Sequence, residues 1–366
     1  MNDRLIATYL IRAQAAEIEA RAQSIAVEQS VEMPLDAIAD DWVLDNTVGK
    51  VVDVAQTAPG LFTVRIALAT ATTGAEAGQL INMLYGNSSI HDDVVLVDAD
   101  LPPDLIAAFD GPAVGLAGLR ARTGAKGRAL TCSALKPQGL PPDRLGDLAY
   151  RLALGGLDFI KDDHGLADQQ YSPFTQRMTA CAEAIARANA ETGGNTRYVP
   201  SVTGNLDQLR NRVAAAREEG VDTVMIAPMI AGLPTLTALR QDFPDIAIFA
   251  HPALAGAARL APPLLLGKLF RLFGADATIF PNHGGRFGYS PETCRRLADA
   301  ARAPWHDIPA CLPVPAGGMT TARVDEMLDF YGPDVMLLIG GGLLAAGDAI
   351  PEHTRAFTQK VAAHVF

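Results

Sequence analysis

Apolar and polar positions change rhythm along this chain. Residues 5–13, LIATYLIRA, alternate as a half-buried strand does, and residues 15–28, AAEIEARAQSIAVE, carry apolar side chains at helical spacing. Strands read through 50–56 and 61–68, followed by an alanine-rich helix over 75–84. Together these make an α+β domain, bounded here as residues 1–110. From residue 130 or so the pattern becomes short apolar runs separated by amphipathic stretches, the signature of parallel βαβ units. Eight such runs are found, at 129–135, 159–163, 198–202, 223–228, 246–251, 277–282, 311–315 and 335–339, with helices between them such as 144–154, 173–190, 206–219 and 291–301. Eight βα units in roughly 240 residues match a closed (β/α)₈ barrel in count and length. The spacing therefore predicts an α/β protein whose barrel domain covers 111–366, with a doubly wound open sheet as the alternative.

Composition narrows the function classes. Hydrophobic residues make up 49% of 366, ample for a large core. No apolar run approaches the ~18 residues of a membrane span, and the richest stretch, 260–272, is interrupted by Pro262, Pro263, Lys268 and Arg271. The opening MNDRLIATYLIRA offers neither a signal-peptide core nor a cleavage site, so a cytoplasmic protein with no membrane partner is expected. Cys132, Cys181, Cys294 and Cys311 lie far apart without Cys-x-x-Cys spacing, which argues against a zinc site and against a disulfide framework. A net charge of −11 disfavours a nucleic-acid partner. An anionic small substrate must then be held by local donors.

In a barrel of this kind the reactive groups close the strands, and these closures are unusually polar: Lys136-Pro137-Gln138, Lys161-Asp162-Asp163-His164, His251, and Asn282-His283. Within GGLDFIKDDHG, residues 155–165, Lys161 and Asp163 alternate and so face inward together, with His164 following in the turn. Such a site suits Mg²⁺, which takes few protein ligands, although Lys161 contributes oxygen only if carbamylated; an ordinary strand-end salt bridge is the competing reading. Gly317-Gly318 and Gly340-Gly341-Gly342 close the last two runs, where barrels commonly build a phosphate site from backbone N–H groups; tight packing turns would need the same glycines. Lys136 is either an acid or base of lowered pKa or a rim lysine. His251 and His283 are similar candidates for substrate contact, a lone strand-end histidine being more often a hydrogen-bonded structural residue. The segment from Asn282 to Arg286 forms a glycine-rich loop able to close over a substrate, with Arg286 as a second phosphate clamp.

Taken together, LKPQGL, GGLDFIKDDHG, the fifth-strand His251, PVPAGG and IGGG resemble the RuBisCO superfamily in order and spacing, as do AVEQS around Glu28 and LYGNSS around Asn87. The resemblance implies the RuBisCO large-subunit fold, a ferredoxin-like N-terminal domain and a TIM barrel. It implies Mg²⁺ held by a carbamate, derived from CO₂, on Lys161 and by Asp163. Lys136 becomes the lysine that manages protons at the enolate, and His251 a substrate contact. Gly317, Gly318, Gly341 and Gly342 become backbone phosphate binders. Glu28 and Asn87 would reach the active site of a partner subunit in a homodimer with shared sites. The chain departs from carboxylating members at four places. His164 stands where a glutamate ligand is expected, Gln138 replaces the second lysine of Lys-Pro-Lys, Pro252 replaces an arginine phosphate clamp, and residues 281–287 lack the lysine that stabilises a carboxylated intermediate.

These departures point to a non-carboxylating RuBisCO-like protein acting on a monophosphate. The expected reaction is isomerisation of 5-methylthioribulose 1-phosphate in methylthioadenosine salvage, with Lys136, Lys161 and His251 as the catalytic set and Lys161, Asp163 and His164 around the metal. Enolisation of a related diketo compound, and decarboxylation or hydrolysis of 3-oxo-isoapionate 4-phosphate, use the same metal chemistry. A sugar-phosphate-binding regulator without turnover is the reading of a different class.

Overall fold

In the computed structural model, which describes residues 3–366, the chain forms two compact units. The described residues through Phe109 cluster with Leu254–Leu265, and Asp110–Ala253 clusters with Leu266–Phe366.

The first unit runs β1 (Arg4–Arg12), helix Ile18–Glu28, β2 (Lys50–Ala58), β3 (Leu61–Ala69), helix Ala77–Tyr85 and β4 (Val94–Asp100). Its antiparallel sheet has the order β2-β3-β1-β4, the split βαβ topology of the ferredoxin-like fold. Alternation in β1 buries Leu5, Ala7, Tyr9 and Ile11, and the register sets them opposite Leu68, Ile66, Val64 and Phe62 of β3. The Tyr9 hydroxyl donates to the Leu84 carbonyl at 2.6 Å, which ties this face to helix Ala77–Tyr85. Strand β4 escaped the sequence reading because its second half, Asp98-Ala99-Asp100, is built from residues that strands disfavour.

The second unit is the barrel. Its strands are β5 (Leu130–Leu135), β6 (Phe159–Asp162), β7 (Arg197–Val199), β8 (Thr223–Ile226), β9 (Ala247–Ala250), β10 (Ala277–Pro281), β11 (Leu312–Ala316) and β12 (Met336–Leu338). Parallel ladders join β12-β5-β6-β7 and β8-β9-β10-β11. A bridge between Ser201 and Met225 links β7 to β8, and β11 lies alongside β12. Seven of the eight strands are shorter than the apolar runs that foretold them, and β11 has the length of its run displaced by one residue. The run at 223–228 stops at Ile226 because Pro228, which has no N–H for a ladder, opens a short helix.

Side chains at alternate positions fill the barrel: Leu130 and Cys132, Phe159, Val199, Met225, Ala247 and Phe249, Ala277 and Ile279, Leu312 and Val314, Met336 and Leu338. Leu119, from helix Gly115–Thr123, joins this core. The buried Asp276 carboxylate accepts the Val114, Gly115 and Ile248 N–H groups at 2.7, 2.7 and 2.8 Å, which fixes that helix's start to the strands. Outside, helix Pro142–Ala153 buries Leu145, Leu148, Ala149 and Leu152 on one stripe. The apolar stretch at 260–272 forms a π-helix, Pro263–Leu269, running into the short α-helix Phe270–Leu272. No helix among the described residues is long and apolar enough to cross a membrane.

Candidate active site

The alternation that fills the barrel continues to its mouth. Lys136 follows Ala134 in the inward register, Lys161 and Asp163 follow Phe159, and His251 follows Phe249. The Lys136 ammonium donates to the Asp163 carboxylate, and the His164 Nδ1 stands 3.4 Å from the same oxygen. The His164 ring stacks on that of His251, centroids 4.2 Å apart and 9° from parallel. Five residues that the sequence nominated from three strands thus meet in one place.

Burial sets the protonation tendencies here. Lys161 is 3% exposed, and its amine donates at 2.7 Å to the neighbouring Asp162 carbonyl. Desolvation, helped by the Lys136 charge, holds its pKa below the usual lysine value. Burial works to raise the Asp163 carboxyl, but hydrogen bonds from His164 and Lys136 and the charges of Lys136 and Lys161 outweigh it and keep the group well below the usual carboxylate range. His251 is pushed down to about 2 by burial and the nearby Lys161 charge, so its ring is neutral at physiological pH. Its Nδ1 accepts the Ala253 N–H at 3.1 Å, leaving the proton on Nε2.

Between Lys161 and Asp163, at the end of β6, Asp162 faces the other way and is completely buried. It accepts from Arg177 Nε at 3.0 Å, Tyr198 hydroxyl at 2.7 Å and Ser201 N–H at 3.0 Å. Arg177, equally buried, donates onward to the Ser172 and Ala167 carbonyls at 2.8 and 2.7 Å. This network pins the strand end and the loop after it. Sequence reasoning missed it: the outward register of Asp162 was legible, but its partner lies fifteen residues away (177 against 162) on a helix with no local signal.

The glycine loops lie side by side. A Cβ on Gly342 would stand 3.4 Å from the Met319 carbonyl oxygen, and one on Gly340 would stand 3.9 Å from Lys136 Cε, which sets the loop after β12 next to the lysine. Gly341 and Gly342 open the short helix Gly341–Leu344, whose first N–H groups have no intrahelical acceptor. Gly317 and Gly318 adopt φ of 85° and 97°, a region that glycine alone enters cheaply. The loop after β10 packs on this turn, its Arg286 N–H donating to the Gly317 carbonyl at 3.0 Å. His283 is nearly buried, its ring 4.6 Å from that of Phe330, and its Nε2 has no hydrogen-bond partner among the described residues. Arg286 is exposed, its guanidinium 5.4 Å from the Phe287 ring centroid. Gln138 leans over the next loop: a Cβ on Gly165 would coincide with its Nε2, at 1.6 Å.

Glu28 and Asn87 belong to the first unit, where they meet: Asn87 Nδ2 donates to Glu28 Oε1 at 2.9 Å and to Glu32 Oε1 at 2.9 Å. Glu32 was absent from the sequence reading. It sits in left-handed backbone, φ 52°, just past the helix end, where no periodic pattern signals it.

The residues present fit a carbamate-supported Mg²⁺ ion. Among the described residues no three His, Cys, Asp or Glu side chains form a metal-ligand group, so carboxylates alone do not build the site. The buried Lys161, whose pKa lies below the usual lysine value, stands beside the ionised Asp163 and as a carbamate would supply further oxygens.

The pattern of the ribulose bisphosphate carboxylase large chain, catalytic domain, matches residues 115–290. A 5-methylthioribulose-1-phosphate isomerase of Rhodospirillum rubrum is 62% identical over 363 residues, covering 99% of this chain and 97% of that protein. A 2,3-diketo-5-methylthiopentyl-1-phosphate enolase of Geobacillus kaustophilus is 33% identical over 309 residues, covering 80% of this chain and 73% of the enolase. The crystal structure of a Rubisco-like protein from Rhodopseudomonas palustris superposes with a TM-score of 0.94 at 52% identity, covering 100% of this chain and 99% of that one.

Proposed function

The chain belongs to the RuBisCO family, among its RuBisCO-like proteins, and from that premise we propose that it is an enolising isomerase converting 5-methylthioribulose 1-phosphate to 1-methylthio-pentulose 5-phosphates in methylthioadenosine salvage. The observation that carries the enolising chemistry is the meeting of Lys136, the buried Lys161 and Asp163 at the barrel mouth. The substrate rests on the 62% identity, along nearly the whole of both chains, to the R. rubrum isomerase.

Lys161, as its carbamate, and Asp163 would hold Mg²⁺, with His164 beside them. When bound, the ion supplies a Lewis acid that makes the hydrogen next to the substrate carbonyl acidic. Lys136 exchanges that carbon-bound proton. Its side chain is partly exposed and its amine is hydrogen-bonded to Asp163, so it is held in place and accessible. The neutral His251 offers its Nε2–H to a substrate oxygen without competing for the proton. The N–H groups of Gly317, Gly318, Gly341 and Gly342 hold the phosphate, helped by His283 and Arg286. Pro252, which follows His251, brings no charge for a second phosphate, in keeping with a monophosphate.

The protein acts as a homodimer in this reading, and the Glu28–Asn87 pair, prealigned at 2.9 Å, is the part offered to the partner's site. The enolase likeness shares the proton-removing step and differs in outcome. ³¹P and ¹H NMR of purified protein with Mg²⁺, bicarbonate and 5-methylthioribulose 1-phosphate separates them: isomeric pentulose phosphates without loss of carbon support the isomerase, and unchanged substrate rejects it.

A further inference from the structure

We propose that Arg323 is a positioning residue for phosphate binding: it latches the loop after β10 onto the Gly317-Gly318 turn and so fixes the direction in which that turn presents its N–H groups. The inference rests on the reading of that turn as a phosphate grip. Every nitrogen of the Arg323 guanidinium is engaged. Its Nε and Nη2 form a fork on the Glu326 carboxylate at 2.8 and 2.6 Å, and its Nη1 donates to the His283 carbonyl at 3.1 Å. The carboxylate aims the guanidinium, and the guanidinium holds the loop.

The loop fills the space between this clamp and the turn. Gly284 has φ 65°, and a Cβ there would stand 3.0 Å from Arg323 Nη1. On the other side a Cβ on Gly285 would fall 2.1 Å from the Gly317 carbonyl oxygen, and one on Gly318 would fall 3.0 Å from the Arg286 nitrogen. Two adjacent glycines are expensive to order, so an unanchored 284–286 segment would not keep this contact for long. Arg323 is the anchor.

A consequence follows for the turn. The Arg286 N–H holds the Gly317 carbonyl at 3.0 Å. In a trans peptide the carbonyl and the next N–H point in opposite directions, so seating the loop turns the Gly318 N–H away from it. Two glycines left alone could flip this peptide at little cost, and the flip would withdraw a phosphate donor. Arg323 prevents the flip while standing outside the donor set.

The test compares the full-length protein with Arg323→Ala, Arg323→Lys and Glu326→Gln, by amide hydrogen exchange over 283–287 and by calorimetric titration with inorganic phosphate. Arg323→Ala should raise exchange in the loop and weaken phosphate binding roughly tenfold, the worth of one lost donor. It should also raise KM for the sugar phosphate far more than it changes kcat. Arg323→Lys, which keeps a donor for the His283 carbonyl, and Glu326→Gln, which loosens the fork but spares the fold, should fall between. Added guanidinium ion should restore affinity to Arg323→Ala, an effect that a folding defect would not show. Unchanged exchange in the alanine variant overturns the latch. Raised exchange with unchanged phosphate affinity overturns its role in binding. A wild-type chain that binds no phosphate overturns the phosphate-grip reading itself, and is seen before any variant is made.

Discussion

Arg177 and Asp162 are both completely buried and meet at 3.0 Å behind the strand that carries Lys161 and Asp163. With Tyr198, Ser201 and two loop carbonyls every side-chain nitrogen and oxygen of the pair has a partner, so removing one partner strands a buried charge. Arg177→Leu should cost about 3–5 kcal/mol of stability, and Tyr198→Phe about 1 kcal/mol. Urea denaturation measures both. Equal losses in the two variants would contradict the central place given to the ion pair.

Lys136 should separate chemistry from architecture. Its side chain is 38% exposed, and its ion pair is with the Asp163 carboxylate, which keeps the neighbouring His164 and Lys161 when the lysine is removed. Lys136→Met should therefore still fold, with a modestly lowered melting temperature from the lost Asp163 partner, while kcat falls by roughly 10²–10⁴, the usual worth of a positioned acid or base. Steady-state kinetics beside a thermal melt checks the pair of outcomes.

Two glycines of the GGLDFIKDDHG segment should respond differently to alanine. A Cβ on Gly155 would stand 2.4 Å from both Cβ and Cγ2 of Thr354, a stiff and fully buried side chain. Gly155→Ala should cost about 1–3 kcal/mol through overpacking. At Gly165 the obstacle is the end of the exposed Gln138 side chain, which can swing away, so Gly165→Ala should cost under about 1 kcal/mol. The order of the two midpoints in urea decides the matter.

The first unit carries an acid-sensitive contact. Arg21 forks onto Asp93 at 2.7 and 2.9 Å, and the hydrogen bond from Arg21, ahead of the opposing effect of burial, holds the Asp93 carboxyl below its ordinary value. Because the folded pKa is depressed, the contribution is fully present above the unfolded carboxylate value and is lost as pH falls through the folded one. Arg21→Met should thus be less stable than wild type near pH 7, by roughly 1 kcal/mol for a partly exposed pair. The difference should vanish in strong acid. A gap that stays constant with pH would contradict the assignment.

The sequence discloses those parts of the molecule that follow a period. Parallel strands buried on both faces are apolar runs, so all eight barrel strands could be located, and the two-residue alternation placed Lys161 and Asp163 on the inner face, while Lys136 and His251 were marked only as polar strand closures. What it could not disclose depends on contacts between distant residues. Arg177 and Tyr198 reach Asp162 from other elements, Arg323 reaches His283 from forty residues on (323 against 283), and Glu32 joins Glu28 on Asn87 only because the backbone turns left-handed past the helix. Strand β4 was hidden by its acidic end.

The central claim is that this barrel removes a proton beside a carbonyl with the help of a metal held at Lys161 and Asp163. The most direct measurement is solvent-deuterium incorporation into 5-methylthioribulose 1-phosphate, followed by ¹H NMR in D₂O with Mg²⁺ and bicarbonate, for wild type and for Lys161→Ala. Deuterium should appear in wild-type substrate or product, cease on chelation, return with added Mg²⁺, and be absent from the variant at any Mg²⁺ concentration. Exchange that persists through chelation, or that survives in Lys161→Ala, would contradict it.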